Sequence, residues 1–167
     1  RILALVLRHA PEKFNVEMDI NGWVNARELS EAIGKQRRHY HWLRAWHFEA
    51  ISNADDKGRY QVENGMIRAT YAHSIEIDLD LPTDEIPEGL YFPCSPDDIA
   101  TLLEFGLTAG DRKNVHLSRT IPNAMEAGHV RISRPAILEV DTVRAIADGH
   151  VIYRAGKTVY LVDEMPG

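Results

Sequence analysis

The sequence predicts an α+β fold in two parts, with a mainly antiparallel sheet in the second part. Helical apolar patterns and one hairpin signature dominate the chain before about residue 80, whereas short strand-like segments with few helices follow it. Between them, Asp78–Glu88 contains acids and no base. Pro82 and Pro87 fix φ there and remove two backbone donors, which is typical of a linker. We therefore expect a boundary near residues 80–88, dividing the chain into 1–80 and 88–167.

The first part contains three helical segments, a turn and a hairpin. The helices are predicted at Ile2–Arg8, ended by Pro11, at Ala26–Ile33, stopped by Gly34, and at His39–Ile51, with Leu43, Trp46 and Ala50 on one face. Asn21-Gly22 is a turn signal before Trp23-Val24. Arg59–Val62 and Met66–Ala69 flank Glu63-Asn64-Gly65, a hairpin signature. Helices followed by a short β-ribbon resemble a winged helix.

The second part is predicted to be built mostly from strands. Leu90–Phe92, Val115–Leu117 and Ala136–Val140 have strand-like composition, and Val151–Tyr153 with Thr158–Val162 frame a hairpin. Ser95-Pro96 is expected to cap a helix that runs to Phe105 and ends at Gly106.

Composition predicts a soluble, intracellular protein. The formal net charge of −6 argues against binding nucleic acid over the whole surface, although a local basic groove is compatible with it. Cys94 is the one cysteine, so no internal disulfide can form and a reducing compartment is expected. No apolar run approaches the roughly 20 residues of a membrane span. We expect a cytoplasmic monomer that does not bind a membrane.

Lys35–Arg44 is a basic tract without any acid. On a helix, Arg37, His41 and Arg44 would form a stripe, and Trp42 and Trp46 would form their own pair at i, i+4. A basic stripe beside aromatic residues suits RNA phosphates and exposed bases. A solvated face over two core tryptophans explains the pattern equally well.

Several other polar residues are candidates for a site, and each also has an ordinary structural explanation. Arg8 and His9 end a helix and suit either phosphate binding or the helix dipole. Arg68, in a strand, could form a cross-strand ion pair. His116 and Ser118 share a strand face, where a lone histidine is more often a satisfied core group. The remaining candidates in loops are His73, Ser74, Arg131 and Arg134.

Familiar nucleotide and metal signatures are missing. The sequence has neither G-x-G-x-x-G nor a Walker A loop. A single cysteine and the lack of H-E-x-x-H argue against a zinc site, so no metal is expected.

Taken in order, these segments resemble the RNA 2′-phosphotransferase family, whose eukaryotic members finish tRNA splicing. The matching blocks span nearly the whole chain, and their order and spacing make the resemblance specific. They are LRHAPE (7–12), NGWV (21–24) with Glu28-Leu29, IRATYAHS (67–74), LYFPCSP…GL (90–107), VHLS (115–118), RISRPAILEVD (131–141) and ADGHVIYRAGKTVYL (147–161).

The resemblance implies an N-terminal winged-helix lobe that binds RNA and a C-terminal ADP-ribosyltransferase-like lobe that binds NAD. The family's catalytic Arg-His-Arg-Arg set falls on Arg8, His9, Arg68 and Arg131. Residues implied to bind NAD are Tyr91, Ser95, His116 and Ser118. Residues expected to contact the RNA are His73, Ser74, Arg37 and Arg44.

The chain departs from the family pattern in two places. The usual I-R-A-N-Q-G-H-S has Thr70, Tyr71 and Ala72 in place of Asn, Gln and Gly. The usual L-Y-H-G-T has Phe92 in place of its histidine, and a phenyl ring cannot hydrogen-bond a ribose hydroxyl.

The implied reaction removes an internal 2′-phosphate from tRNA-like RNA in two steps. The 2′-phosphate first displaces nicotinamide from NAD, giving ADP-ribosylated RNA. A neighbouring ribose hydroxyl then attacks the phosphate, releasing RNA with a 2′-OH and ADP-ribose 1″,2″-cyclic phosphate. Arginines suit the second step because guanidinium groups stay charged and can clamp phosphate oxygens, while His9 would assist proton transfer.

Two other functions are compatible with parts of the pattern. One is an ADP-ribosyltransferase that modifies nucleic-acid phosphate ends or another acceptor. The other is a non-enzymatic winged-helix module, supported by the basic aromatic tract. Neither requires Arg8, His9, Arg68 and Arg131 together.

Overall fold

The computed structural model describes residues 2–110 and 112–167. It divides into two compact units, Arg1–Asp80 and Leu81–Gly167. Helices and exclusively antiparallel strand pairs occur among the described residues, so the α+β class is confirmed. Within these residues no helix combines the length and apolarity needed to cross a membrane.

The N-terminal unit begins with a short helix that ends as a wide turn. Helix α1 (Ile2–Ala4) continues into a π-helical turn, Leu5–His9, which closes where the Ala10 N–H donates to the Leu5 carbonyl at 2.8 Å. A 3-10 turn, Pro11–Phe14, follows. The predicted helix ended by Pro11 is thus confirmed, and its last turn carries Arg8 and His9.

The sheet of this unit has three strands in the order β1-β3-β2. Strand β1 is Val24–Asn25, β2 is Tyr60–Glu63 and β3 is Met66–Ala69. The predicted hairpin is confirmed: Asn64 and Gly65 both have positive φ, as a type I′ turn requires. Arg68 therefore lies in the central strand, opposite Gln61.

The two longer helices of this unit differ from their predicted bounds. Helix α2 is Ala26–Gln36, capped by the Asn25 side chain, and it runs through Gly34 instead of stopping there. Gly34 does not adopt the left-handed conformation, and the chain leaves the helix at Arg37. Helix α3 is Ala45–Ala54 and is preceded by a separate 3-10 turn, Arg38–Tyr40.

The predicted continuous helix from His39 is therefore wrong, and a capping contact explains why. The Arg44 N–H donates to His47 Nδ1 at 2.8 Å, which satisfies a backbone donor at the start of α3. The Arg44 guanidinium donates to the carbonyls of His41 and Leu43 at 2.8 and 3.0 Å. These contacts favour a break before Ala45.

One apolar core holds the N-terminal unit together. Leu7, Leu29, Ile33, Phe48 and Ile67 are each at most 1% exposed and belong to one cluster. Burying an aliphatic or aromatic side chain of this size stabilises a fold by about 1.5–3 kcal/mol. The core thus fixes the π-helical turn against α2, α3 and the sheet.

The C-terminal unit contains a five-stranded sheet in the order β6-β4-β5-β8-β7. Its strands are β4 (Gly89–Cys94), β5 (Val115–Ser118), β6 (Ala136–Asp141), β7 (Tyr153–Arg154) and β8 (Val159–Val162). All five strands overlap segments that the sequence predicted to be extended. The Val151–Tyr153 strand begins later than predicted, at Tyr153.

Three helices accompany this sheet, and two of them were not predicted. Helix α4 (Ile99–Phe105) ends at Gly106, whose φ is +88°, as expected. The helical segment begins after Ser95 with Pro96, as predicted, but its first turn is a 3-10 turn, Pro96–Asp98, and the Ser95 side chain makes no capping hydrogen bond. Helices α5 (Ile121–Gly128) and α6 (Thr142–Ala147) begin at Thr120 and Asp141, whose side chains accept from backbone N–H groups.

Candidate active site

Arg68 is a buried cation held by contacts on several sides. The residue is 6% exposed, and its Nε donates to Gln61 Oε1 at 2.9 Å. Its Nη1 donates to the Asn21 carbonyl at 3.3 Å and to the carboxylate of Asp80. The guanidinium carbon lies 4.4 Å from the centre of the Trp23 ring, a cation–π contact. Its orientation is therefore fixed.

Arg8 is also oriented, but part of its donor capacity is unused. Its guanidinium carbon lies 5.0 Å from the centre of the Tyr71 ring. Its Nε and Nη2 are buried without a hydrogen-bond partner among the described residues. Buried donors of a cation are costly when unsatisfied, so this pair of N–H groups favours an anionic ligand.

His9 is joined to the segment that follows Arg68. Its Nδ1 lies 2.8 Å from Ser74 Oγ, and the Ser74 N–H donates to the Arg8 carbonyl at 2.9 Å. His9 itself is exposed. The Ser74 contact orients the imidazole and leaves its Nε2 available for a ligand or a proton.

His73 lies where these groups meet. Burial and, after it, the charges of Arg8, Arg68 and His9 together lower the pKa of His73 to about 4. His73 is 6% exposed, and its Nε2 has no hydrogen-bond partner among the described residues. At neutral pH it is therefore an uncharged imidazole within electrostatic reach of all three groups.

The three residues at 70–72 that depart from the family pattern have structural contacts or a constrained backbone. Thr70 Oγ1 donates to the Gly58 carbonyl at 2.7 Å, and Tyr71 forms the surface beneath Arg8. Ala72 has φ +69°, a left-handed conformation that favours glycine. Its predicted family counterpart is glycine, which would adopt this conformation without strain.

The arrangement in the N-terminal unit is suited to binding a phosphate group. Guanidinium groups supply charge and paired donors, and two imidazoles supply hydrogen bonds or proton transfer. The Asp80 carboxylate accepts from one nitrogen of the Arg68 guanidinium. A carboxylate is an anion that accepts hydrogen bonds as a phosphate does. Three of the four residues predicted to be catalytic, Arg8, His9 and Arg68, are thus brought together here.

The residues predicted to bind NAD lie in the C-terminal unit. Tyr91 is paired with Ser118 across β4 and β5 and with Glu139 across β4 and β6. Since side chains alternate along a strand, Tyr91, Ser118 and His116 share one sheet face. A hydrogen bond to Glu139, burial and the Glu139 charge raise the pKa of the Tyr91 phenol, so it remains a proton donor.

The opposite sheet face carries the apolar core of this unit. Leu90, Leu117, Tyr160 and Val162 belong to that cluster, and Phe92 packs against it. Phe92 is partly buried and brings no hydrogen-bonding atom to the sheet. Ser95 is half-buried just beyond β4, where its carbonyl accepts from the Asp98 N–H at 2.9 Å.

Arg131 lies in an exposed turn between α5 and β6, and its N–H donates to the Gly128 carbonyl at 3.1 Å. It belongs to the C-terminal unit, whereas Arg8, His9 and Arg68 belong to the N-terminal unit. Its place beside them stays a prediction from the resemblance. Arg134 is exposed four residues before Leu138 in β6.

The predicted helical stripe of the basic tract does not form. Arg37 follows the end of α2, His41 follows a 3-10 turn, and Arg44 precedes α3. All three are nevertheless exposed. The alternative of two core tryptophans is wrong as well, because Trp42 is 49% exposed and Trp46 is 66% exposed.

Several residues that shape the candidate site were not identified from the sequence. Gln61, Asp80, Trp23 and Tyr71 contact Arg68 or Arg8. The position of Gln61 opposite Arg68 in the predicted hairpin was an available signal. No sequence signal indicated that Asp80 contacts Arg68, since its acidic segment is typical of a solvated linker.

This cluster has the charged and neutral donors that a phosphate-binding site requires, and sequence comparison identifies the family. The sequence profile described as "RNA 2′-phosphotransferase, Tpt1 / KptA family" matches residues 1–164. The chain belongs to this RNA 2′-phosphotransferase family.

Relatives from several archaea are similar over almost the whole chain. The chain is 35% identical over 166 residues to "Probable RNA 2′-phosphotransferase 1" of Archaeoglobus fulgidus, covering 99% of this chain and 76% of that protein. It is 36% identical to "Probable RNA 2′-phosphotransferase" of Methanosarcina barkeri, covering 99% and 78%. The protein of that name from Thermoplasma acidophilum is also 36% identical, with 99% and 71% covered.

Proposed function

We propose that this chain is an NAD-dependent enzyme that removes an internal 2′-phosphate from RNA. It would act through ADP-ribosylated RNA and yield RNA with a 2′-OH, nicotinamide and ADP-ribose 1″,2″-cyclic phosphate. The single observation that carries the proposal is the convergence of Arg8, His9 and Arg68 around the buried, uncharged His73. Family membership supports the transfer of a 2′-phosphate from RNA.

The proposal assigns one ligand to each unit. The N-terminal unit, with helices and a three-stranded sheet, would serve as a winged-helix lobe holding the RNA phosphate. The C-terminal unit would serve as an ADP-ribosyltransferase-like lobe for NAD. Its donor set fits a dinucleotide: the hydroxyls of Tyr91 and Ser118 and the imidazole of His116 on one sheet face are suited to ribose hydroxyls and an amide. When bound, NAD supplies an electrophilic ribose carbon and a neutral leaving group, nicotinamide.

Phe92 cannot contribute a hydrogen bond to the ribose hydroxyls of NAD. The phenyl ring packs against the core and cannot hydrogen-bond. Contacts to the ribose would therefore come from Tyr91, His116 and Ser118. Tyr91 is held by Glu139 in its protonated form, which keeps its phenol oxygen oriented.

The residues of the N-terminal unit would act mainly by position and charge. Two buried N–H groups of Arg8 have no partner within residues 2–110 and 112–167, and they would donate to phosphate oxygens. Arg68 would release Asp80 and stabilise charge that develops on the phosphodiester in the second step. His9, oriented by Ser74, would transfer a proton, and uncharged His73 would donate or accept a hydrogen bond. Arg131 is proposed as a third phosphate ligand.

A nicotinamide-release assay tests the proposal directly. The protein is incubated with NAD and an RNA oligonucleotide that carries one internal 2′-phosphate, with the same oligonucleotide bearing a 2′-OH as the control. Nicotinamide release that requires the 2′-phosphate, together with 2′-OH RNA and the cyclic phosphate as products, is the expected result.

Two results would contradict the proposal. Stable retention of ADP-ribose on the RNA, or on a 5′-phosphate end, would identify an ADP-ribosyltransferase. Binding of RNA without any nicotinamide release would leave only a nucleic-acid-binding module.

A further inference from the structure

The surface of the N-terminal unit between α2 and α3 carries an aromatic cluster of exposed and half-buried rings that the proposed chemistry does not use. It consists of His39, Tyr40, Trp42, Trp46 and His47. The ring centres of His39 and Tyr40 lie 4.2 Å apart, and those of Tyr40 and Trp42 lie 6.1 Å apart. Trp42 meets His47 edge-on at 5.0 Å. These contacts connect the rings into one continuous surface.

Trp46 provides an open stacking face within this cluster. Its ring stacks on His47, with 3.7 Å between centres and an angle of 29° between planes. His47 therefore covers one face of the indole. The residue remains 66% exposed, which leaves the opposite face open to solvent. Exposed tryptophans of this size are costly to leave in water, and in a polar rim they mark binding surfaces.

Hydrogen bonds hold two rings of the cluster in place without any ligand. The Trp42 Nε1–H donates to the His39 carbonyl at 2.7 Å. His47 Nδ1 accepts from the Arg44 N–H at 2.8 Å, which fixes the ring on which Trp46 stacks. Leu43 and Phe48, between and beside these residues, are buried in the core. A preorganised surface loses little conformational entropy when a ligand stacks on it.

The charge around the cluster selects an anionic ligand. From Lys35 to Phe48 the sequence contains no acid, in a chain whose net charge is −6, and the exposed Glu49 that follows on α3 is one carboxylate against several basic side chains. Arg37, Arg38 and Arg44 are exposed there. Glu31, the nearest acid on the N-terminal side, lies 3.3 Å from the guanidinium of Arg27. The cluster therefore lies in a local positive field on an acidic protein.

We infer that the His39–His47 cluster is a stacking platform for an unpaired nucleotide of the RNA substrate, with the base on the open face of Trp46 and its flanking phosphates beside Arg37, Arg38 and Arg44. Single-stranded RNA combines a polyanionic backbone with exposed π-faces, which is the combination this surface offers. A duplex offers no free base face. The inference rests on the proposed function for the identity of the RNA, and it adds that the substrate must be single-stranded at one nucleotide.

Direct binding tests the platform without any catalysis. The full chain is titrated into a short fluorescein-labelled single-stranded RNA that lacks a 2′-phosphate, in the absence of NAD. Stacking on one base is worth about 5- to 150-fold in affinity, so Trp46→Ala should raise Kd by a factor in this range. Trp46→Phe should keep most of the affinity. Phe105→Ala, which removes an aromatic residue 72% exposed in the other unit, is the matched control and should bind as the wild type does.

Abasic scanning identifies the stacked base on the wild-type protein itself. Replacing the nucleotides of the RNA one by one with an abasic residue should reveal a position where the wild type loses about the same factor. At that position Trp46→Ala should lose nothing further, because the two changes remove one contact. The same RNA in a perfect duplex should bind both proteins equally.

Equal affinity of wild type and Trp46→Ala for single-stranded RNA would overturn the inference and leave the surface to a protein partner. An abasic loss of the same size in both proteins would overturn it too. The proposed function is judged separately. Failure of the wild type to release nicotinamide removes the phosphotransferase proposal while the RNA-binding result stands.

Discussion

The two units differ in the charge of the polar groups at their candidate sites. The cluster around His73 in the N-terminal unit combines two guanidinium groups with two imidazoles, and burial together with the neighbouring cations holds the pKa of His73 low. The face around Tyr91 in the C-terminal unit is built from hydroxyls and an imidazole beside one carboxylate, and that carboxylate raises the pKa of Tyr91. Positive charge suits a phosphate, whereas neutral donors suit a sugar. The N-terminal unit therefore offers positive charge, whereas the C-terminal unit offers neutral hydrogen-bonding groups.

The largest expected effect comes from removing the charge of Arg68. Loss of one donor that stabilises developing charge slows catalysis by about 10²–10³-fold. Arg68→Ala should lower overall turnover by about this factor and slow the second step more than the first, so ADP-ribosylated RNA should accumulate. The measurement is time-resolved separation of RNA products after mixing with NAD and 2′-phosphorylated RNA.

Arg27→Ala is the matched control for Arg68→Ala. Arg27 forms only an exposed ion pair with Glu31, so turnover should stay near that of the wild type. Reduced turnover of Arg68→Ala without any accumulated intermediate would show that Arg68 acts before the second step.

The next effect is a pH dependence of stability that originates in His73. Its folded pKa of about 4 lies below the ordinary value of about 6.5, so the unfolded chain binds this proton more tightly. The unfolding free energy should fall as the pH drops from about 6.5 to about 4, by up to about 3 kcal/mol, and this contribution should be complete above pH 6.5. Denaturant unfolding at a series of pH values measures it.

His73→Gln should remove that part of the pH dependence, because glutamine does not titrate. His129→Gln changes an exposed histidine on the turn after α5 and should follow the wild-type curve. If His73→Gln and the wild type lose stability in parallel between pH 6.5 and 4, the buried cationic surroundings of His73 are not what lowers its pKa.

A smaller effect on stability is expected when a helical glycine of each unit is replaced by alanine. A Cβ on Gly128 would lie 2.7 Å from Pro93 Cβ and 2.9 Å from Pro135 Cβ. Gly128→Ala should therefore destabilise the C-terminal unit by about 1–3 kcal/mol. A Cβ on Gly34 in α2 would meet nothing closer than 3.5 Å, and alanine is the better helix former by about 1 kcal/mol.

Thermal unfolding of both glycine variants checks this pair. Gly34→Ala should raise the transition temperature, and Gly128→Ala should lower it. The same direction of change in both would mean that the close approach of α5 to the two prolines is not a constraint in solution.

The smallest effect concerns Ala72. An L-residue in the left-handed region costs about 1–2 kcal/mol, and glycine avoids this cost. After allowing for the greater freedom of glycine in the unfolded chain, Ala72→Gly should stabilise the protein by about 0.5–1 kcal/mol. Ala69→Gly, at a buried position in β3, should destabilise it instead. A loss of stability in Ala72→Gly would show that the methyl group contributes more packing than strain.

Much of the fold could be predicted because local chemistry decides it. The hairpin at Asn64-Gly65 and the end of α4 at Gly106 follow from residues that tolerate positive φ. The break between Tyr40 and Ala45 could not, since a histidine side chain and an arginine cap α3 where Ser, Thr, Asp or Asn is the usual signal. Helices α5 and α6 were missed although Thr120 and Asp141 are ordinary caps, because both helices are short.

The site was predicted in part for a similar reason. Resemblance identified Arg8, His9 and Arg68, but no local pattern specifies that Asp80 returns to Arg68 or that Trp23 lies against its guanidinium. These contacts join residues far apart in the chain and depend on tertiary structure. The exposure of Trp46 likewise could not be decided from the sequence, which was compatible with a core position and with a surface position.

The contact between Asp80 and Arg68 has a consequence for which molecules can use this guanidinium. A carboxylate tethered by the chain competes with free anions at an effective concentration that is about millimolar for a short flexible connection. Small ions such as inorganic phosphate, present singly and without other contacts, gain too little to displace it. A ligand that also binds elsewhere on the protein would displace it more readily, so we expect the ion pair to favour a polymeric anion over a small one.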